Sequence, residues 1–102
     1  MDQDQIIATL RAHEAELRSA GVQSLSLFGS AARGEATEAS DVDVLVRLTP
    51  EAAQGGFAYF ARLDALVRRL QDVLGCPVDI VAEPVRKERL RRGIEKDVML
   101  AF

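Results

Sequence analysis

Two aspartates one residue apart open an apolar segment in the middle of the chain, and a Gly-Ser pair closes the apolar segment before it. The first segment runs from Ser24 to Phe28 into Gly29-Ser30, and ten residues later Asp41-Val42-Asp43 begins the second. Alternate residues of a β-strand point to one face, so the carboxylates of Asp41 and Asp43 should project together. A carboxylate pair suits Mg²⁺, and a Gly-Ser turn at a helix start suits phosphate. These residues predict a site for a metal-bound nucleotide.

Each residue type has a chemical reason to be there. Nucleoside triphosphates carry Mg²⁺, which carboxylates and phosphate oxygens hold together. Paired ions can activate an attacking oxygen and stabilise a leaving one, so we expect two Mg²⁺ ions at Asp41 and Asp43. Gly29 lets the backbone approach a phosphate, and Ser30 offers a hydroxyl and an amide N–H. An isolated Asp-x-Asp pair is usually only solvated, so the nearby Gly-Ser turn is what supports a site.

The spacing of Gly29-Ser30 and Asp41-Val42-Asp43 resembles the signature of the DNA polymerase beta-like nucleotidyltransferase superfamily. The fuller string GSAARGEATEASDVDVLV, residues 29–46, resembles its smallest members, the MNT-type nucleotidyltransferases, many of which are antitoxin partners of HEPN ribonuclease toxins. The resemblance implies the minimal nucleotidyltransferase fold. It also implies transfer of AMP from ATP to a tyrosine of a cognate HEPN-type toxin, which neutralises that toxin.

A third carboxylate, Asp79, lies in the short apolar segment from Pro77 to Val81. A carboxylate in a buried strand is costly unless it meets a cation or hydrogen-bond donors. A helix between the second and third strands makes them parallel, which places Asp79 beside Asp41 and Asp43. The resemblance matches Asp79 to the superfamily's third acidic residue, which binds the catalytic metal and helps to deprotonate the attacking hydroxyl. Arg33 is a candidate contact for the phosphates or the acceptor, although a structural place in a surface turn is equally open.

Hydrophobic periodicity and turn residues predict the remaining elements. The fold class is α/β (α+β), with a small mixed three-stranded sheet packed by helices. The first two strands should be antiparallel and the second and third parallel. Helices are predicted over Asp4 to about Ser19, Ser30–Arg33, Phe57–Leu74 and Val85–Ala101, strands over Val22–Phe28, Val42–Leu48 and Pro77–Val81, and a loop over Glu35–Ser40. The apolar end, residues 98–102, either packs on the sheet or belongs to an interface.

Composition sets outer limits. We expect the 102 residues to form one nucleotidyltransferase domain, 1–102. The net charge of −3 argues against direct binding of nucleic acid, which needs a basic surface. The single cysteine, Cys76, permits no internal disulfide. No apolar run approaches the roughly 18 residues of a membrane span, so we expect no membrane partner and a cytoplasmic location.

Two other functions remain open from the sequence. The chain could inhibit a toxin by contact alone, as a non-catalytic binding module. It could instead transfer the nucleotide to a small molecule such as an aminoglycoside, although so short a chain offers no second domain to enclose that acceptor. An oligomer in complex with the toxin is also open.

Overall fold

The computed structural model describes residues 2–35 and 41–102. The helices are α1 Gln3–Ala12, α2 Glu14–Ser19, α3 Gly29–Ala32, α4 Gly56–Leu74 and α5 Glu88–Asp97. The strands are β1 Val22–Phe28, β2 Val42–Leu48, β3 Val78–Ala82 and β4 Met99–Leu100. Apart from Glu35, the loop predicted over Glu35–Ser40 lies outside the described residues. No helix within the described ranges is long and apolar enough to cross a membrane.

The strands form one mixed sheet in the order β3-β2-β1-β4. Strands β1 and β2 are antiparallel and β2 and β3 are parallel, so both predicted pairings are confirmed. The parallel pair follows from α4, which carries the chain back along the sheet before β3 begins. This topology brings the end of β1 and the starts of β2 and β3 together at one end of the sheet. That end is the edge at which the candidate site lies.

The predicted number of strands is wrong by one, because β4 joins the sheet as a fourth strand. The last helix begins at Glu88, and it ends at Asp97 rather than at Ala101. Residues Met99 and Leu100 then pair with β1 in antiparallel fashion. The apolar end of the chain is therefore hydrogen-bonded to the sheet and buries Ala101 there, while the side chains of Val98, Met99 and Leu100 are exposed.

The predicted first helix is broken into two. α1 begins with a capping box, in which the Asp2 carboxylate accepts from the Gln5 backbone N–H at 2.8 Å and the Gln5 side chain accepts from the Asp2 N–H at 2.9 Å. It ends at Ala12, and α2 starts at Glu14 after the capping residue His13. The His13 ring is half-buried, with Nδ1 2.9 Å from the Thr9 carbonyl oxygen.

The two faces of β2 differ in what they carry. Alternate residues Val42, Val44 and Val46 are buried in the main core, with side chains from α1, α2 and α4. Asp43 and Leu45 point to the other face, where α5 buries Ile94. Both faces of β2 are thus covered along most of its length, as its continuous apolar sequence predicts. Only its first residues reach the edge where the carboxylates gather.

Candidate active site

Gly29 is the point where β1 turns into α3, and it lies against a carboxylate. Its φ of +66° is in the left-handed region, where glycine has no steric penalty. A Cβ built on Gly29 would lie 2.6 Å from Oδ2 of Asp43. The register explains the approach, because Phe28 pairs directly with Asp43 across the antiparallel ladder. The absence of a side chain at Gly29 is what lets the Asp43 carboxylate occupy this space.

Asp43 and Asp79 are neighbours on adjacent parallel strands. The ladder pairs Asp43 with Asp79, and residues paired in register point to the same face of a sheet. Asp41 lies one residue before β2, two residues from Asp43. Partial burial, together with the charges of Asp79 and Asp41, raises the pKa of Asp43, and Arg33 acts in the opposite direction. Asp41, Asp79 and Arg33 therefore each lie within electrostatic reach of Asp43.

The three predicted carboxylates do not share one environment. Asp43 is half-buried, whereas Asp41 and Asp79 are exposed. The expectation that Asp79 lies in a buried strand is therefore wrong, because the face of β3 that carries it is open at this edge. The cost of desolvation falls on Asp43 instead. Within residues 2–35 and 41–102, no group of three or more His, Cys, Asp and Glu side chains is gathered to hold a metal ion as it stands.

The donor set still suits a hard cation. Mg²⁺ is commonly held by one or two carboxylates, with phosphate oxygens of the substrate completing its shell. Asp43 and Asp79 provide such a pair, and a cation would offset both the partial burial and the repulsion from Asp79 that raise the pKa of Asp43. The exposed side chains of Asp41 and Asp79 can change rotamer to meet an ion. The residues present therefore fit magnesium, without a preformed three-carboxylate cage.

Ser30 and Arg33 lie on the turn beside these carboxylates. Ser30 is the second residue of α3 and half-buried, and its carbonyl accepts from the Glu35 N–H at 2.9 Å. Arg33 follows α3, and its N–H donates to the Gly29 carbonyl at 3.2 Å. The turn thus holds Ser30 and Arg33 at fixed positions next to Gly29.

Sequence reasoning missed one residue at this edge, Asp97. Its Oδ2 lies 3.0 Å from a terminal guanidinium nitrogen of Arg33. The two residues are 64 positions apart, so no local spacing could have revealed the contact. The apolar residues that follow Asp97 gave the only available signal, since they hinted that this end of the chain returns to the sheet.

Comparison with known proteins assigns the chain to a family. The family described as the nucleotidyltransferase domain matches residues 10–100. The chain belongs to this nucleotidyltransferase family. The match contains every residue of the edge described above, from Gly29 to Asp97.

Known relatives of this nucleotidyltransferase are small enzymes of similar length. The protein adenylyltransferase MntA of Thermococcus cleftensis is 37% identical over 97 residues, which cover 94% of this chain and 88% of the relative. A solved structure of a minimal nucleotidyltransferase superposes with a TM-score of 0.77 and 31% identity, covering 97% of this chain and 95% of that one. The predicted minimal nucleotidyltransferase fold is therefore confirmed.

A more distant match shares the fold alone. It comes from the structure of a tri-AMPylated Shewanella oneidensis HEPN toxin in complex with an MNT antitoxin. The TM-score is 0.60 at 17% identity, and the match covers 98% of this chain and 71% of that one. The fold of this nucleotidyltransferase is therefore also that of a chain found in a toxin–antitoxin complex.

Proposed function

We propose that this nucleotidyltransferase transfers the adenylyl group of ATP to a protein hydroxyl, a tyrosine of a HEPN-type toxin, and so acts as an antitoxin. The observation that carries the proposal is the pairing of Asp43 with Asp79 on one face of the sheet, against the Gly29 turn. A relative named protein adenylyltransferase and a fold neighbour from a complex with an AMPylated HEPN toxin support the donor and the acceptor.

The transfer needs a bound phosphate chain and a positioned acceptor. The acceptor oxygen forms a bond to the α-phosphorus, and the bond from that phosphorus to the oxygen bridging the β-phosphate breaks. Pyrophosphate leaves with the bonding electrons, and the acceptor proton passes to a base. Positioning and charge stabilisation supply most of the rate enhancement in such a reaction.

Each residue at this edge has a proposed role in the transfer. Asp41, Asp43 and Asp79 would hold Mg²⁺, which when bound offsets the charge of the phosphates. Asp79, exposed on β3, is also the proposed acceptor of the hydroxyl proton. The Gly29 backbone and Ser30 bind phosphate oxygens, and Arg33 places a positive charge beside them.

The test is adenylylation of a purified HEPN-type protein from the same source, incubated with ATP, Mg²⁺ and this enzyme. Intact mass spectrometry should show the partner heavier by one or more adenylyl units. Asp43→Asn should lower the rate about a hundred- to a thousandfold, because it removes the central carboxylate of the site. An unchanged rate for Asp43→Asn would contradict the proposal.

A matched variant controls for loss of charge alone. Asp64 is an exposed carboxylate on α4 that pairs with Arg68 at 2.9 Å. Asp64→Asn should keep the wild-type rate within about twofold, since surface changes away from a site have small effects. If the double variant Asp41→Asn, Asp43→Asn still neutralises the toxin and adds no mass, the chain is a contact inhibitor. If only an aminoglycoside gains mass, the acceptor is a small molecule.

A further inference from the structure

We propose that Asp97, the last residue of α5, is a positioning residue that holds the guanidinium of Arg33 towards the nucleotide phosphates. The inference rests on the proposed function, because it assumes that phosphates bind at the Gly29-Ser30 turn. It adds a residue from the far end of the sequence to the site, and it gives α5 a share in the affinity for ATP.

The contacts of Arg33 point to Asp97 as the firmer of two anchors. A terminal nitrogen of the guanidinium lies 3.0 Å from Oδ2 of Asp97, and Nε lies 3.1 Å from Oε2 of Glu35. The Asp97 side chain is 22% exposed, whereas that of Glu35 is 64% exposed. An ion pair that is more shielded from water is weakened less by solvent and salt. Asp97 should therefore fix the guanidinium more strongly than Glu35 does.

The backbone holds Asp97 in place relative to the phosphate turn. Ile94, one turn earlier in α5, is 3% exposed and anchors the helix on the sheet. Two residues after Asp97, Met99 pairs with Leu27 of β1, the strand that leads into Gly29. Asp97 lies two residues before β4 and Gly29 directly follows β1, so both residues are attached to neighbouring, hydrogen-bonded strands. A displacement of the Asp97 backbone relative to the turn would therefore disturb this pairing.

The turn needs such outside support. A four-residue helix such as α3 is unstable by itself, because nucleation costs more than its few hydrogen bonds return. Burial of Ala31 and a hydrogen bond from the Gln3 side chain to the Ala32 carbonyl at 2.5 Å hold its backbone. Neither contact directs the long Arg33 side chain. The pair with Asp97 does so.

The geometry leaves Arg33 able to bind phosphate while it is held. A guanidinium carries five N–H donors in a rigid fork, and the contacts to Asp97 and Glu35 use two of them. Arg33 directly follows α3, and its backbone N–H donates to the Gly29 carbonyl at the start of the phosphate turn. An arginine oriented in advance loses less entropy when it binds phosphate.

The experiment measures the dissociation constants of ATP and adenosine with Mg²⁺ by calorimetric titration, without any acceptor protein. Asp97→Asn should weaken ATP binding about tenfold and leave adenosine binding unchanged, because Arg33 acts on phosphates. Asp97→Glu should recover part of the loss. Glu35→Gln, the matched variant on the same guanidinium, should change the ATP constant by less than about twofold.

The same measurement in an Arg33→Ala background separates a positioning role of Asp97 from a role in folding stability alone. Once Arg33 is replaced by alanine, adding Asp97→Asn should not weaken ATP binding further, since the group to be positioned is gone. A further loss there, or a lower melting temperature with wild-type ATP binding for Asp97→Asn, would overturn the inference while leaving the proposed function intact. If the wild-type chain binds ATP no better than adenosine, both fail.

Discussion

The two ends of strand β2 differ in whether the carboxylates beside them are paired with a positive charge. At its start, partial burial and the neighbouring carboxylate of Asp79 raise the pKa of Asp43. At its end, near Leu48, the Glu16 carboxylate accepts two hydrogen bonds from Arg69, and this pairing lowers the pKa of Glu16. Folding therefore leaves like charges together at one end and neutralises charge at the other.

A cavity lies at the end of β2 that is far from the three aspartates. A cavity of about 260 Å³ lies at the neutralised end, between Leu48 and the facing side chains of α2 and α4. Arg62, which lines it, donates to the backbone carbonyls of Ala52 and Gln54 and so holds the loop before α4. The candidate active site instead has carboxylates that the fold does not neutralise, an arrangement that costs stability and is typical of functional sites.

The contrast between the two ends of β2 predicts different outcomes for a glycine substitution at each end. Gly29→Ala places a methyl group 2.6 Å from Oδ2 of Asp43, and the carboxylate must swing away. We expect kcat/KM for adenylyl transfer to fall about a hundredfold, because a displacement near 1 Å misaligns the reacting groups. The left-handed backbone adds a strain of about 1–2 kcal/mol.

Gly21→Ala is the matched control for the glycine at the site. Gly21 also has a positive φ, +103°, and its added Cβ would lie 2.5 Å from the Cβ of Ala52. That methyl group cannot rotate away, so the overlap should cost about 1–3 kcal/mol of unfolding free energy. Activity per folded molecule should stay at the wild-type level. Equal losses of activity in the two variants would mean that the site is not at Gly29.

Asp43→Asn should make the folded chain more stable at neutral pH, although we expect it to abolish most activity. The pKa of Asp43 is above its ordinary value of 3.8 in the folded chain, so ionisation disfavours folding. This penalty is absent below pH 3.8 and complete above the raised pKa. Thermal melts should therefore show the variant ahead of the wild type at pH 7, with the two converging in acid.

Magnesium should shift those two melting curves by different amounts. A ligand that binds the folded chain stabilises it by mass action, and the wild type has the carboxylate that the variant lacks. Excess Mg²⁺ at pH 7 should raise the melting temperature of the wild type more than that of Asp43→Asn. Equal shifts would show that Asp43 takes no part in holding the ion.

Local sequence patterns predicted the parts of the site that are close in the chain or joined by one crossover. The Gly29 turn, the start of β2 and the parallel strand with Asp79 could be placed because apolar strands and a helix alternate in a simple order. The end of α4 was also predictable, since Gly75 adopts a left-handed φ of +70° there.

The missed features depend on contacts between distant segments. The strand Met99–Leu100 is two residues long, too short to show an alternating pattern, and it exists because β1 offers an edge. The same return of the chain brings Asp97 to Arg33. The exposure of Asp79 was missed for a related reason, because burial at a sheet edge depends on what covers that face and not on the apolar neighbours in sequence.

The smallest expected effect lies at the neutralised end, where Glu16→Gln removes the charge that pairs with Arg69. The hydrogen bond from Arg69 and the charge of Arg69 lower the pKa of Glu16 below its ordinary value of 4.5. The ion pair therefore favours folding above pH 4.5, and this contribution is lost as acid protonates Glu16. The variant should melt slightly below the wild type at pH 7, with equal activity, and match it in acid. This sign is opposite to that of Asp43→Asn. A gain in stability at pH 7 would remove the contrast between the two ends, because both would then carry charge that opposes folding.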